Sequence, residues 1–203
     1  MMSLGRLIVF EGPDGIGKST ILREIATRLE RSGRPVHRES FPGNGPGSLG
    51  ALVYGLHHES SRHGVDGISP LALQALHIAA HLDSIENTIL PALESGEIVL
   101  LDRFWWSAWV YGTAAKANEA ALEMLVKAEQ AVWKERIPEA IFLITRPQAF
   151  RAEHCQEQFD QYSQLYREVS LREQGRYPVF VVENNDLDKA TSFIFERVTQ
   201  VVG

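Results

Sequence analysis

Gly12 to Thr20 reads GPDGIGKST and follows a short apolar run, RLIVF, at Arg6 to Phe10. It fits the pattern G-x-x-x-x-G-K-[ST], with Gly12, Gly17, Lys18 and Ser19 in the fixed places. The strand pattern before it and the amphipathic pattern after it are the context a phosphate loop requires. Glycines let the backbone curl so that successive N–H groups point inward at an anion. The following helix adds its free N-terminal donors and the positive end of its dipole. This loop predicts that Gly12, Pro13, Asp14, Gly15, Ile16, Gly17, Lys18, Ser19 and Thr20 hold the phosphates of a nucleoside triphosphate, most simply ATP. Lys18 is expected to reach the β- and γ-phosphates, and the Ser19 hydroxyl to ligate Mg²⁺, a hard ion that prefers oxygen.

Working outward, strand-like and helical patterns alternate to the end of the chain. Lys18 to Arg31 carries Ile21, Leu22, Ile25, Ala26 and Leu29 on one helical face. Pro35 to Arg38, Ile98 to Leu101, Ala140 to Ile144 and Val179 to Val182 read as further strands. Helices are expected at Leu49 to about His57, Pro70 to Leu93, Trp105 to Trp133 with a break near Gly112, Gln148 to Glu173, and Asp186 to Val201. The stretches Ser40 to Gly50 and Glu59 to Ser69 read as loops. The alternation predicts an α/β fold: a three-layer α/β/α sandwich around a five-stranded parallel sheet, in one domain over 1–203.

The bulk numbers narrow the function. With 203 residues, 44% hydrophobic and 23% charged, the chain has the composition of a globular domain with a sizeable core. Lys plus Arg is 20 against 26 Asp plus Glu, a net charge of −6, which argues against duplex nucleic acid or an anionic membrane as partner. The only cysteine is Cys155, so no intrachain disulfide forms, in keeping with a reducing cytoplasm. No apolar run has the length of a membrane span, and the apolar part of MMSLGRLIVF is too short for a signal peptide.

A second signal lies in IVLLDRFWWSAWVYG, Ile98 to Gly112. Asp102 and Arg103 fall at the C-terminal end of a buried strand, the edge where open parallel sheets bind ligands. Asp102 can hold Mg²⁺ or orient an attacking oxygen, and Arg103 can grip phosphate through its planar fork. Lys18, Asp102 and Arg103 are therefore the candidate catalytic residues, with Ser19 and Asp102 the candidate metal ligands. Trp105, Trp106 and Trp109 are expected in the core. His57, His58 and His63 read as solvated loop residues, and Arg151 to Glu173 as a solvated helix face.

Together these segments resemble the thymidylate kinase family of nucleoside monophosphate kinases. FEGPDGIGKST is similar to its F-E-G-x-D-G-x-G-K-S-T signature, and LDRFWWSAWVYG to its D-R-[YF]-x-x-S-x-x-A-Y motif, with Val110 in the Ala place. LPALESGEIVLLDRF resembles the stretch between them, and the three segments occur in the family's order. The resemblance implies phosphoryl transfer from ATP to dTMP with Mg²⁺, in a homodimer. It places Asp14 at the acceptor sugar or phosphate, and Arg38, opening the loop after the second strand, at the acceptor phosphate with Phe41 nearby. It makes Arg103 the bridge between the reacting groups, Ser107 a lining residue, and Tyr111 the residue that fills the space of a 2′-hydroxyl. The chain departs from the family in three places. The base-stacking Phe becomes His77 and the base-reading Arg becomes His81, with Asp83 at a neighbouring amide position. The 40–50 loop is longer and richer in glycine. The lid, within about 146–160, is short, with Arg146 and Arg151 as its arginines. A nucleoside or other small molecule as acceptor, and a nucleotide-binding relative with little transfer activity, are the alternatives.

Overall fold

The computed structural model describes residues 4–43, 45–133, 136–150 and 155–203. Arg151 and part of the expected lid lie outside the described residues. Five parallel strands, β1 (Arg6–Glu11), β2 (Val36–Ser40), β3 (Ile98–Asp102), β4 (Ala140–Thr145) and β5 (Val179–Glu183), form one sheet in the order β2-β3-β1-β4-β5. Parallel strands need long crossovers, and helices supply them. These are α1 (Lys18–Arg31), α2 (Leu49–Glu59), α3 (Pro70–Ser84), α4 (Leu90–Glu94), α5 (Trp105–Ala114), α6 (Glu119–Trp133), α7 (Gln156–Glu173) and α8 (Leu187–Val202).

Side-chain alternation sorts the sheet residues into two cores. Ile8, Phe10, Leu100, Phe142 and Ile144 pack with α1 and α8. Leu7, Val9, Val99, Leu101, Ile141 and Leu143 pack with α4 to α7 on the other face. Both faces are covered, which is why the inner strands read as unbroken apolar runs. Trp105 and Trp106 are fully buried, as expected. Trp109 is only partly buried, with the Arg172 guanidinium 4.6 Å from its ring centre.

Several boundaries differ from the sequence reading, each for a local reason. β2 continues to Ser40, so Arg38 lies inside the strand opposite Leu100 and is exposed; it does not open the loop. The pattern from Pro70 to Leu93 is not one α-helix. Pro91 has no N–H and its ring crowds the preceding turn. The chain widens there into a π-helical stretch, Ile85–Ile89, whose exit is marked by the Leu90 N–H donating to the Ile85 carbonyl, five residues back. Gly112 does not break its helix; α5 runs through it, and the break falls at 115–118. A Cβ at Gly112 would meet Leu122 Cδ2 at 2.8 Å and Gln74 Cγ at 3.0 Å, so glycine serves the close approach of α5 to α6 and α3. Residues 60–63 form a turn of 3-10 helix inside the expected loop. α7 begins only at Gln156.

Gly12 makes the exit from β1. Its φ is 135°, and a Cβ there would lie 2.4 Å from the Ile144 carbonyl oxygen of β4. Gly12→Ala is expected to lower the unfolding free energy by about 3 kcal/mol, from backbone strain and overpacking together. Urea denaturation checks it; a change under about 1 kcal/mol would contradict this packing.

Candidate active site

The β1–β3 pairing sets Phe10 opposite Asp102, and the Arg103 N–H donates to the Phe10 carbonyl at 2.9 Å. The glycine loop after β1 and the turn after β3 therefore leave the same edge of the sheet side by side. Gly15 and Gly17 adopt positive φ, as the curled loop requires. The Ser19 hydroxyl donates to Asp102 Oδ2 at 2.6 Å. Lys18 Nζ donates to the Pro13 carbonyl at 2.7 Å, folded back across the loop. Asp102 Oδ1 is buried and has no hydrogen-bond partner among the described residues.

That orphaned oxygen bears on the metal. A buried carboxylate oxygen without a partner is costly, and a cation supplies one. Ser19 and Asp102 give two oxygen donors, the set expected for Mg²⁺, which takes its other ligands from phosphate and water. Among the described residues no group of three or more His, Cys, Asp and Glu side chains is placed to hold a metal. Ser19 and Asp102 fit a metal that arrives with a nucleotide.

Arg103 stands at the centre. It is a non-glycine residue at φ 78°, a left-handed conformation that surrounding contacts must hold. Its Nη2 pairs with Asp14 Oδ1, its Nη1 donates to Ser107 Oγ at 3.0 Å and to Tyr166 Oη at 3.3 Å, and its guanidinium lies 5.4 Å from the Tyr111 ring centre. Tyr111 donates to Asp14 Oδ2 at 2.7 Å. Burial alone would raise the Asp14 pKa, but the Arg103 and Lys18 charges and the Tyr111 hydrogen bond outweigh it and hold the carboxyl at about 2. Lys18 is lowered by burial and by Arg103, against the pull of Asp102, Asp14 and Glu11. Burial pushes the Tyr111 hydroxyl well above the ordinary tyrosine range, so it stays a donor.

Ser107 lies behind Arg103. It is buried, and its hydroxyl is shared among Glu11, Arg103 and Tyr166. Phe41 is buried and stacks on His81, ring centres 4.0 Å apart at 10°. His81 is buried too, with Nδ1 2.8 Å from Glu129 Oε2, and the Trp133 indole N–H donates to Glu129 Oε1 at 3.4 Å. His77 Nε2 lies 3.3 Å from His57 Nδ1. Burial, then the neighbouring histidines and Arg103, push the His77 pKa down to about 3. His57 thus belongs to α2 and touches the candidate acceptor side; it is not a loop residue.

Several site residues escaped the sequence reading. Glu11, the last residue of β1, is fully buried and accepts the Phe104 N–H at 2.7 Å and the Ser107 N–H at 3.2 Å. Its place in FEG was the available signal. α7 was read as a solvated face, yet it delivers Tyr166 to Arg103 and Tyr162 to the Tyr111 ring, centres 4.8 Å apart. Asn184, after β5, is buried and donates to the Ile16 carbonyl at 2.7 Å. Arg146 donates to the Asn184 carbonyl and lies 3.7 Å over the Phe150 ring, and the Phe150 backbone N–H donates to the Gly15 carbonyl at 2.7 Å. The segment at 146–150 thus packs against the glycine loop after β1.

A sequence model of the family described as Thymidylate kinase matches residues 10–176. A protein named Thymidylate kinase from Caulobacter vibrioides is 31% identical over 218 aligned positions, covering 100% of this chain and 100% of the relative. One of that name from Dinoroseobacter shibae is 35% identical, covering 72% of this chain and 67% of its own length. One from Chlamydia trachomatis is 34% identical, covering 82% and 81%.

Because Asp14 owes its low pKa to Arg103, Arg103→Met is expected to leave burial less opposed and to raise that carboxyl above about 4. A ¹³C NMR titration of the Asp side chains reads it. In the parent protein the ionised Asp14 contributes stability above the ordinary aspartate range that is lost as pH falls toward 2; the variant loses this contribution. An Asp14 pKa still near 2 in the variant would refute the assignment.

Proposed function

Since this chain belongs to the thymidylate kinase family, we propose that it transfers the γ-phosphoryl group of ATP to dTMP, giving ADP and dTDP. The observation that carries the reading is the meeting of the phosphate loop with the Asp102–Arg103 turn across the β1–β3 pairing. An acceptor phosphate oxygen attacks the γ-phosphorus while the bond to the β-phosphate oxygen breaks. There is little covalent work for the protein in such a reaction, so catalysis is positioning and charge neutralisation. The loop amides from Gly12 to Thr20 cradle the triphosphate. Lys18 exchanges the Pro13 carbonyl for phosphate oxygens. Arg103 neutralises charge between donor and acceptor. Asp14 and Tyr111 face the acceptor sugar, and Tyr111 disfavours a 2′-hydroxyl there.

Ser19 and Asp102 would hold Mg²⁺, which when bound neutralises phosphate charge. Phe41, His77 and His81 form the base side. Having His77 and His81 where the family has a Phe and an Arg is worth ~1–3 kcal/mol in base preference. A homodimer of single-domain chains and a cytoplasmic location complete the reading; among the described residues no helix is long and apolar enough to cross a membrane.

A coupled assay over a panel of nucleoside monophosphates, with thymidine included, tests the proposal. ADP release with dTMP supports it, whereas turnover of thymidine alone, or of nothing in the panel, overturns it. Lys18→Ala is expected to lower kcat/KM with dTMP by about a thousandfold. Retention of more than about a tenth of the activity would remove the phosphate loop from the mechanism.

A further inference from the structure

The most enclosed charge of the site takes no part in the mechanism so far. Glu11 is a carboxylate with no solvent exposure, and its side chain accepts hydrogen bonds from Phe104 and Ser107, just beyond Arg103. Phe104 occupies the capping position of α5 and offers no side-chain cap. Glu11 Oε1 replaces that cap from β1, accepting the N–H of the capping residue Phe104 and the Ser107 N–H, which it shares with the Phe104 carbonyl. Glu11 Oε2 accepts the Ser107 hydroxyl at 2.9 Å.

The proton inventory beyond that point is closed. A serine hydroxyl has one hydrogen to give and two lone pairs. When Ser107 gives its hydrogen to ionised Glu11, both lone pairs accept: one from Arg103 Nη1 at 3.0 Å, one from the Tyr166 hydroxyl at 2.7 Å. Tyr166 Oη in turn accepts from Arg103 Nη1 at 3.3 Å. Every hydrogen has one destination, and Arg103 is held from behind while its other edge pairs with Asp14. The geometry points to Glu11 as a positioning residue for phosphoryl transfer, its buried carboxylate fixing the reach of the Arg103 guanidinium through Ser107 and Tyr166. This rests on the kinase reading above, since it assigns Arg103 to the reacting phosphates.

Reversing one hydrogen bond disturbs the whole set. A neutral group at Glu11 that still accepts the two backbone N–H groups must donate to Ser107 Oγ and so take a lone pair from Arg103 or Tyr166. Burial already pushes the Glu11 pKa up to about 7, against Arg103, Ser107, the Phe104 N–H and Lys18, so the neutral form is close at hand. The titratable or charged groups facing Glu11 are Arg103 from the turn after β3, Lys18 from α1 and Tyr166 from α7. Glu11→Gln reproduces the neutral arrangement and keeps the cap.

The test compares Glu11→Gln, Ser107→Ala and the double variant in steady-state kinetics with ATP and dTMP. Each single change is expected to lower kcat about tenfold with KM for dTMP within about twofold, because Arg103 loses its hold and not its charge. The double variant is expected to fall no further than the weaker single variant, since both cut one chain. Unchanged kcat in Glu11→Gln, a rise in KM alone, or effects that multiply would overturn the assignment. If Glu11→Gln does not fold, Ser107→Ala alone must still show the loss of kcat. A readout free of turnover separates this inference from the kinase reading: the Arg103 guanidinium N–H signals in ¹⁵N NMR, assigned by Arg103→Lys. Slow exchange in the parent protein that becomes fast in Glu11→Gln supports it even if no acceptor is phosphorylated; identical exchange in both rejects it.

Discussion

The structure depends on the in-register pairing of β1 with β3. Both strands are buried on both faces, and Phe10 lies opposite Asp102. Because they end together, the chain emerging from one and the chain emerging from the other must share the same edge. A slip of two residues would keep every apolar side chain on its proper face and yet separate Ser19 from Asp102 by about 7 Å. The backbone bond from Arg103 to Phe10 is the local lock against that slip.

What meets at that edge is a cluster of two cations and three carboxyl groups. Lys18 and Arg103 stand against Glu11, Asp14 and Asp102, and of these Glu11, Lys18 and Asp102 are buried. Buried charges are tolerated when each has a partner with good geometry. Here Arg103 is partnered by Asp14, Ser107 and Tyr166, and Lys18 by the Pro13 carbonyl. The cost appears in the backbone, where Arg103 is kept at positive φ. In the proposed function, a polyphosphate would meet donors that burial has already partly desolvated, which strengthens their interaction with it.

The curled glycine loop, the five strands and the placement of Asp102 and Arg103 at the strand edge were legible because their signals are local: glycine at fixed spacing, and apolar runs of strand length. Arg38 was misplaced at the loop because a strand end at a sheet edge carries no such punctuation. Gly112 read as a break because glycine usually weakens a helix, and only the positions of Leu122 and Gln74 show why it stays. Glu11 and Tyr166 were invisible for a deeper reason. Their partners are 96 and 59 residues away, and a tyrosine in a charged helix looks like surface until the helix is docked. The His81–Glu129 pair is of the same kind, set by the packing of α3 on α6.

The stack of Phe41, His81 and Glu129 hangs on α3, α6 and the turn after β2, while the loop, Asp102 and Arg103 hang on β1 and β3. The division of labour has an evolutionary corollary. In the proposed function, the base side and the transfer side rest on different elements. A substitution in the aromatic stack could then change which acceptor is preferred and leave the register of β1 and β3, with the turn that carries Arg103, as it stands.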